Sequence, residues 1–184
     1  MKKHNFFATP LWHENILDKE YNNTLKNFIL DLSKKENSVS KTNYGGWQSQ
    51  NNLQKLEIFK ELFNIIEKKF KKSELNIKKL NVLQAWANVN YKDNYNIIHN
   101  HGESSFAMVY YVDVPEGSGF LTIRDPRPGA IALSARGVDR AILDLNTKAG
   151  DLIIFPGYLD HFVKPSNSKI ARISVAADYN AVYF

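Results

Sequence analysis

The chain has 184 residues, 43% hydrophobic and 12% aromatic, enough for one folded domain with a sizeable core and too apolar for a disordered or fibrous chain. It has no cysteine, which excludes disulfides, thiolate zinc sites, iron–sulfur clusters and a cysteine nucleophile, and leaves His, Asp and Glu to hold any metal. The formal charge of +5 is uneven: residues 1–80 carry 15 Lys against 9 acids, whereas residues 81–184 carry 4 Lys and 5 Arg against 10 acids.

Met1-Lys2-Lys3-His4 has the charge of a signal n-region but no apolar run follows it, and no stretch approaches the ~18 consecutive apolar residues of a membrane span. A soluble, cytoplasmic protein without a membrane partner is expected. From about Asp18 to Leu32, the apolar residues Tyr21, Leu25, Phe28, Ile29 and Leu32 recur at helical spacing. A second amphipathic helix is predicted from about Leu53 to Lys72, with Leu56, Phe59, Phe63, Ile66 and Phe70 on one face. Between them, Thr42 to Ser49 reads as a loop with two aromatics, either packed or at the rim of a ligand site. Lys68, Lys69, Lys71, Lys72, Lys78 and Lys79 read as a solvated face with its trailing loop; no specific nucleic-acid partner is expected.

Beyond Leu80 the texture changes. Seven of nine glycines lie between Gly102 and Gly157, and five of six prolines lie beyond Val114, separating short β-branched or aromatic runs. Strands are predicted over Val82–Val89, Tyr95–His101, Phe106–Val114, Gly119–Arg124, Arg140–Asn146, Asp151–Phe155 and Ile170–Asp178. The expected fold is mainly β with flanking helices (α+β): a jelly roll, or double-stranded β-helix, preceded by two helices. One domain is expected over 1–184, with an N-terminal strand and helices (1–80) packed on a jelly-roll core (81–184).

His99-Asn100-His101 stands at the end of an expected strand, where residues i and i+2 project from one face and can meet one metal. His161 follows about 60 residues later, after another strand and turn. Three such ligands leave coordination positions open for substrate and oxygen. Arg172 and Ser174 share a strand face and offer a fork and a hydroxyl to one carboxylate, unless Arg172 is a surface residue paired to an acid. All five arginines lie in the second half of a chain that otherwise prefers Lys by 19 to 5, which makes this half the place for an anionic ligand.

The order of these parts resembles the Fe(II)- and 2-oxoglutarate-dependent oxygenases, within them the prolyl-hydroxylase-like group, and most closely a largely uncharacterised branch from marine bacteria and phages. The resemblance is carried by Phe7-Ala8-Thr9-Pro10-Leu11-Trp12, Gly46-Trp47-Gln48-Ser49, Trp86-Ala87-Asn88-Val89, His99-Asn100-His101 and Val109-Tyr110-Tyr111-Val112. It continues through Asp125-Pro126-Arg127, Gly150 to Pro156, Leu159 to Val163, Pro165 and Arg172-Ile173-Ser174. It implies Fe(II), 2-oxoglutarate and molecular oxygen as cofactors, with His99, His101 and His161 on the metal and Arg172, assisted by Ser174, on the distal carboxylate of 2-oxoglutarate. A tyrosine on the strand after the first motif would join that carboxylate; Tyr111 fits better than Tyr110, with strand register able to shift the choice. Most of the wider family has Asp or Glu where His101 stands, so Glu103 is an alternative ligand. Asp160 should face away from His161, and Asp125 reads as a turn residue.

The implied activity is hydroxylation of a peptidyl or small-molecule substrate in a bacterial or phage-infected cell. Specificity would come from the loops Gly45–Asn52 and Arg127–Asp139. The alternative is a cupin-like three-histidine metalloprotein that does not use 2-oxoglutarate.

Overall fold

A computed structural model describes Lys2 and residues 8–72, 75–137 and 141–184. Phe7 of the opening motif, Arg140 at the head of an expected strand, and positions 138–139 of the loop after Arg127 lie outside the described residues. In chain order the elements are β1 (Trp12–Asn15), α1 (Lys19–Lys35), β2 (Asn43–Tyr44), β3 (Trp47–Gln48), α2 (Lys60–Lys71), β4 (Ile77–Asn90), β5 (Tyr95–His99) and β6 (Phe106–Asp113). They continue with β7 (Leu121–Arg124), α3 (Pro128–Ser134), β8 (Ile142–Leu145), β9 (Asp151–Pro156), β10 (His161–Val163) and β11 (Arg172–Tyr183).

The strands form a larger sheet ordered β1-β9-β6-β11-β4-β3 and a smaller one ordered β2-β5-β10-β7-β8, each strand antiparallel to its neighbours. This is the expected double-stranded β-helix. The larger sheet is covered on both faces, and strand parity decides which face each side chain serves. Phe106, Met108, Tyr110 and Val112 of β6, Leu152 and Ile154 of β9, and Ile173, Val175, Ala177 and Tyr179 of β11 join Leu25 and Ile29 of α1 and Leu62, Ile66 and Phe70 of α2 in the main core. Residues of the opposite parity, Ala107, Tyr111, Ile153 and Phe155, meet Leu121 and Ile123 of the smaller sheet inside the barrel.

The Asp18 carboxylate caps α1 by accepting from the Tyr21 N–H at 2.8 Å, satisfying one of the helix's free donors. Buried Asn22 then ties the helix to β6: its amide donates to the Val112 carbonyl at 2.8 Å, and its Oδ1 accepts from the Tyr110 hydroxyl at 2.7 Å. Lys69 and Lys71 of the lysine-rich stretch pair with Glu14 and Glu67, while Phe70 packs into the core against Phe106 and Tyr179.

The second helix begins at Lys60 rather than Leu53. Residues 53–55 and 57–59 form two 3-10 turns separated by extended Leu56 (φ −88°, ψ 134°). The neighbouring strand draws this segment out of helical geometry: Asn52 bridges Ala85, and the Gln54 amide donates to the Leu83 carbonyl at 3.2 Å. Tertiary bonds of this kind outweigh helix propensity. β4 and β11 run longer than the sequence runs predicted because they pair with each other along nearly their whole length, from Arg172↔Asn90 to Tyr183↔Ile77. Conversely β5 stops at His99, so His101 is held by a loop. The stretch after Asp125, expected as loop, contains α3. Among the described residues no helix is long and apolar enough to cross a membrane.

Candidate metal centre and cosubstrate pocket

β5 and β10 are neighbours, and their register sets His99 directly opposite His161. His101, two residues past the end of β5, is anchored by its backbone N–H, which donates to the Gly157 carbonyl at 2.7 Å, and its ring stacks on Trp86. One ring nitrogen from each histidine lies within 4.8 Å of the other two, and the Nε2 atoms of His101 and His161 are 3.3 Å apart.

The outer nitrogens explain this convergence. Nδ1 of His99 lies 2.8 Å from the Ile97 carbonyl, and Nδ1 of His161 lies 2.9 Å from the Leu159 carbonyl. Nδ1 of His101 lies 3.0 Å from Oδ1 of Asp178. Nδ1 of His99 and of His161 can only donate to these carbonyls, which leaves Nε2 of each ring with the lone pair that a shared cation would use. Burial pushes the His161 pKa down to about 3, with His99 alongside adding to the effect, and burial likewise lowers that of His99. Uncharged imidazole is the metal-binding form, so His99 and His161 could take a metal without shedding a proton at neutral pH.

Glu103 is exposed in the turn after His101 and is not among the gathered groups. Asp160 accepts from the Asn100 amide at 2.9 Å, and Asp125 is engaged by Arg127.

The histidines close one end of a narrow cavity, about 40 Å³, that also bears Tyr111, Arg172, Ser174 and Asn88 on its wall. Arg172 is 2% exposed, and no carboxylate among the described residues pairs with it. Its guanidinium carbon sits 4.9 Å above the centre of the Tyr111 ring, and its Nε has no hydrogen-bond partner. The Tyr111 hydroxyl faces Arg172 and Thr147 without closing a hydrogen bond, and Oδ1 of Asn88 is also unpartnered. Burial raises the Tyr111 pKa, against the opposing pull of Arg172, which keeps the phenol protonated and able to donate. A buried, uncompensated cation beside unused donors is a seat for an anion. Tyr110 points to the opposite face and serves Asn22.

Outside the histidines a groove of about 530 Å³ opens to solvent, lined by Thr42, Gln48, Gln50, Asn51, Gln84 and Trp86. The segment Thr42–Ser49, expected as a loop but drawn into β2 and β3 by pairing with β5 and β4, thus contributes to the rim. Sequence reasoning did not single out Asn88, Gln84 or Asp178. Asp178 was detectable, because Arg172, Ser174, Ala176 and Asp178 share parity on one strand and so face the same interior.

Three imidazole nitrogens at the mouth of a double-stranded β-helix, with a buried cation on its inner wall, are the chemistry of a candidate metal centre beside a candidate anion site. Residues 84–178 match the 2OG-Fe(II) oxygenase family, and the chain belongs to that family, whose cofactors are Fe(II), 2-oxoglutarate and molecular oxygen. Among solved structures it resembles a Pseudomonas putida prolyl-4-hydroxylase, at 13% identity and TM-score 0.68, over 94% of this chain and 93% of that one. It is similar also to the viral collagen prolyl hydroxylase vCPH of Paramecium Bursaria Chlorella virus-1 in its 2OG complex, at 15% identity and TM-score 0.66, over 94% of this chain and 96% of that one. A third is HygX from Streptomyces hygroscopicus with nickel, 2-oxoglutarate and hygromycin B bound, at 12% identity and TM-score 0.71, over 96% of this chain and 84% of that one. A search of curated proteins finds no match.

Proposed function

We propose that His99, His101 and His161 hold Fe(II) through Nε2 and that Arg172, with Ser174 and Tyr111, anchors the distal carboxylate of 2-oxoglutarate, for hydroxylation of a substrate lying in the outer groove. The observation that carries this reading is the buried guanidinium of Arg172, without a carboxylate partner among the described residues and with its Nε unbonded, on the wall of the cavity that the histidines also line. When bound, iron and 2-oxoglutarate would let molecular oxygen act as the oxidant, one oxygen atom ending in the succinate formed as carbon dioxide leaves and the other in the hydroxyl placed on a substrate C–H bond.

The chain's own residues hold and shield. In the narrow apolar barrel the charge of Arg172 is little screened, so it selects a carboxylate strongly. The Ser174 hydroxyl can donate to a carboxylate oxygen that Arg172 leaves free. Trp86 and Phe155 pack against His101 and His161 and limit water at the mouth. The groove presents amides and a hydroxyl from Thr42, Gln48, Gln50, Asn51 and Gln84, suited to hydrogen-bonding a peptide or a polar small molecule. A cytoplasmic setting suits a demand for ferrous iron and 2-oxoglutarate, and one domain over 1–184, its helices packed on the jelly roll, suits a core shared between α1, α2 and the larger sheet.

Anaerobic addition of Fe(II) and then 2-oxoglutarate to the protein should produce a visible charge-transfer band, absent in His161→Ala. Metal demonstrably bound without such a band would instead point to a three-histidine metalloprotein that ignores 2-oxoglutarate.

A further inference from the structure

The three histidines differ in what stands behind them. His99 and His161 each direct Nδ1 at a neutral backbone carbonyl, whereas His101 directs it at a carboxylate. Asp178 is 2% exposed, and its Oδ1, which closes no hydrogen bond, lies 3.0 Å from that ring nitrogen. Its Oδ2 accepts from the Gln84 amide at 2.6 Å, and Gln84 in turn accepts from the Asn51 amide at 2.7 Å. No Lys or Arg among the described residues pairs with Asp178. Arg172 lies six residues along the same strand, about 20 Å away at ~3.3 Å per residue, too far to neutralise it. A buried carboxylate in such surroundings needs a cation nearby. The closest seat for one is the far nitrogen of His101.

We propose that Asp178 is a positioning residue for the metal centre: it restores, one residue behind His101, the negative charge that a carboxylate ligand at position 101 would have carried. Its carboxylate holds the Nδ1–H tautomer of His101, so Nε2 presents its lone pair inward, and it makes the imidazole a stronger donor. Gln84 fixes the carboxylate from the β4 side, where Asp178 and Gln84 are directly opposed in register. On the other flank Asp178 is paired with small Ala107, which leaves room for the His101 ring. Asn51 and Gln84 also line the outer groove, so a chain of hydrogen bonds runs from the groove wall to the carboxylate that stands 3.0 Å from the His101 ring.

This inference rests on the reading of His99, His101 and His161 as ligands, and the test separates the two. Metal-free protein is titrated with Co(II) or Ni(II) by calorimetry and by the visible spectrum, in wild type, Asp178→Asn, His101→Asp and the double variant. Absence of metal binding by the wild type would overturn both readings. If the wild type binds, Asp178→Asn should weaken binding about 10- to 100-fold, the usual effect of removing a carboxylate behind a histidine ligand. His101→Asp should bring no gain where Asp178 is present, because two carboxylates then crowd one site. In the Asp178→Asn background the same substitution should recover at least about tenfold, a coupling that only an interacting pair shows. A folding defect in Asp178→Asn would not be repaired by a second substitution outside its strand, so the rescue distinguishes positioning from general destabilisation. Equal effects of His101→Asp in both backgrounds, or unchanged affinity in Asp178→Asn, would overturn the assignment of Asp178 alone.

Discussion

Replacing Arg172 by Met should make the metal-free protein more stable while removing its response to 2-oxoglutarate. The substitution keeps the apolar stem of the side chain and deletes a charge that is 2% exposed and has no carboxylate partner among the described residues. Desolvating such an ion costs several kcal/mol, of which the contact with the Tyr111 ring returns up to about 2. Exchange of buried charges for well-packed apolar groups commonly gains about 1–4 kcal/mol. Taking about 2 kcal/mol, and about 2–4 °C per kcal/mol for a chain of this size, the Tm of the metal-free variant should rise by about 4–8 °C. With metal present, 2-oxoglutarate at about 100 times its Kd should stabilise the wild type by about 2.7 kcal/mol and the variant not at all. Thermal melts with and without metal and 2-oxoglutarate read both effects. A variant melting below wild type, or one still stabilised by 2-oxoglutarate, would refute the reasoning that this guanidinium is held uncompensated for an anion.

Gly157 lies in the turn that leads into β10 and His161, against the loop that carries His101, and a Cβ there would come within 2.2 Å of the Ser104 carbonyl oxygen and 2.6 Å of that of His101. Gly157→Ala should therefore cost about 1–3 kcal/mol and loosen metal binding measured by calorimetry, whereas Gly129→Ala, with open space at its Cβ, should leave both nearly unchanged. Asp151 resists ionisation through burial, but hydrogen bonds from the Asn15 side chain, the Lys148 backbone and His13 outweigh this and hold its pKa below the usual carboxylate range. Its contribution to stability is complete above about pH 4, the unfolded value, and is lost as pH falls through the lower folded value. The Tm gap between wild type and Asp151→Asn should accordingly narrow only in acid, and a gap that widened on acidification would contradict the sign.

The parts of the fold governed by alternation were legible in the chain. A period of two along β6 puts Tyr111 inside the barrel and Tyr110 against α1, and along β11 it puts Arg172 and Ser174 on the same inner face. What depended on pairing across the barrel was not legible. The meeting of His99 with His161 is a register between strands separated by about 60 residues, and the short strands β1, β2, β3 and β10 exist because a neighbour supplies their hydrogen bonds. Likewise the apolar spacing from Leu53 to Phe59 was helical, yet bonds to β4 decided its conformation. His101 was expected on a strand and is held by a loop, so its placement depends on Gly157 and Asp178 rather than on pleating.

The contact between His101 and Asp178 also joins layers. His99 and His161 belong to the smaller sheet, while Asp178 is on β11 of the larger one. An ion gripped by the three imidazoles would thus clasp the two halves of the sandwich at their rim. Opening of the rim and release of the ion then become a single event. Amide hydrogen exchange along β5 and β10 should slow on metal loading, while that of α1, packed on the far face, should not change.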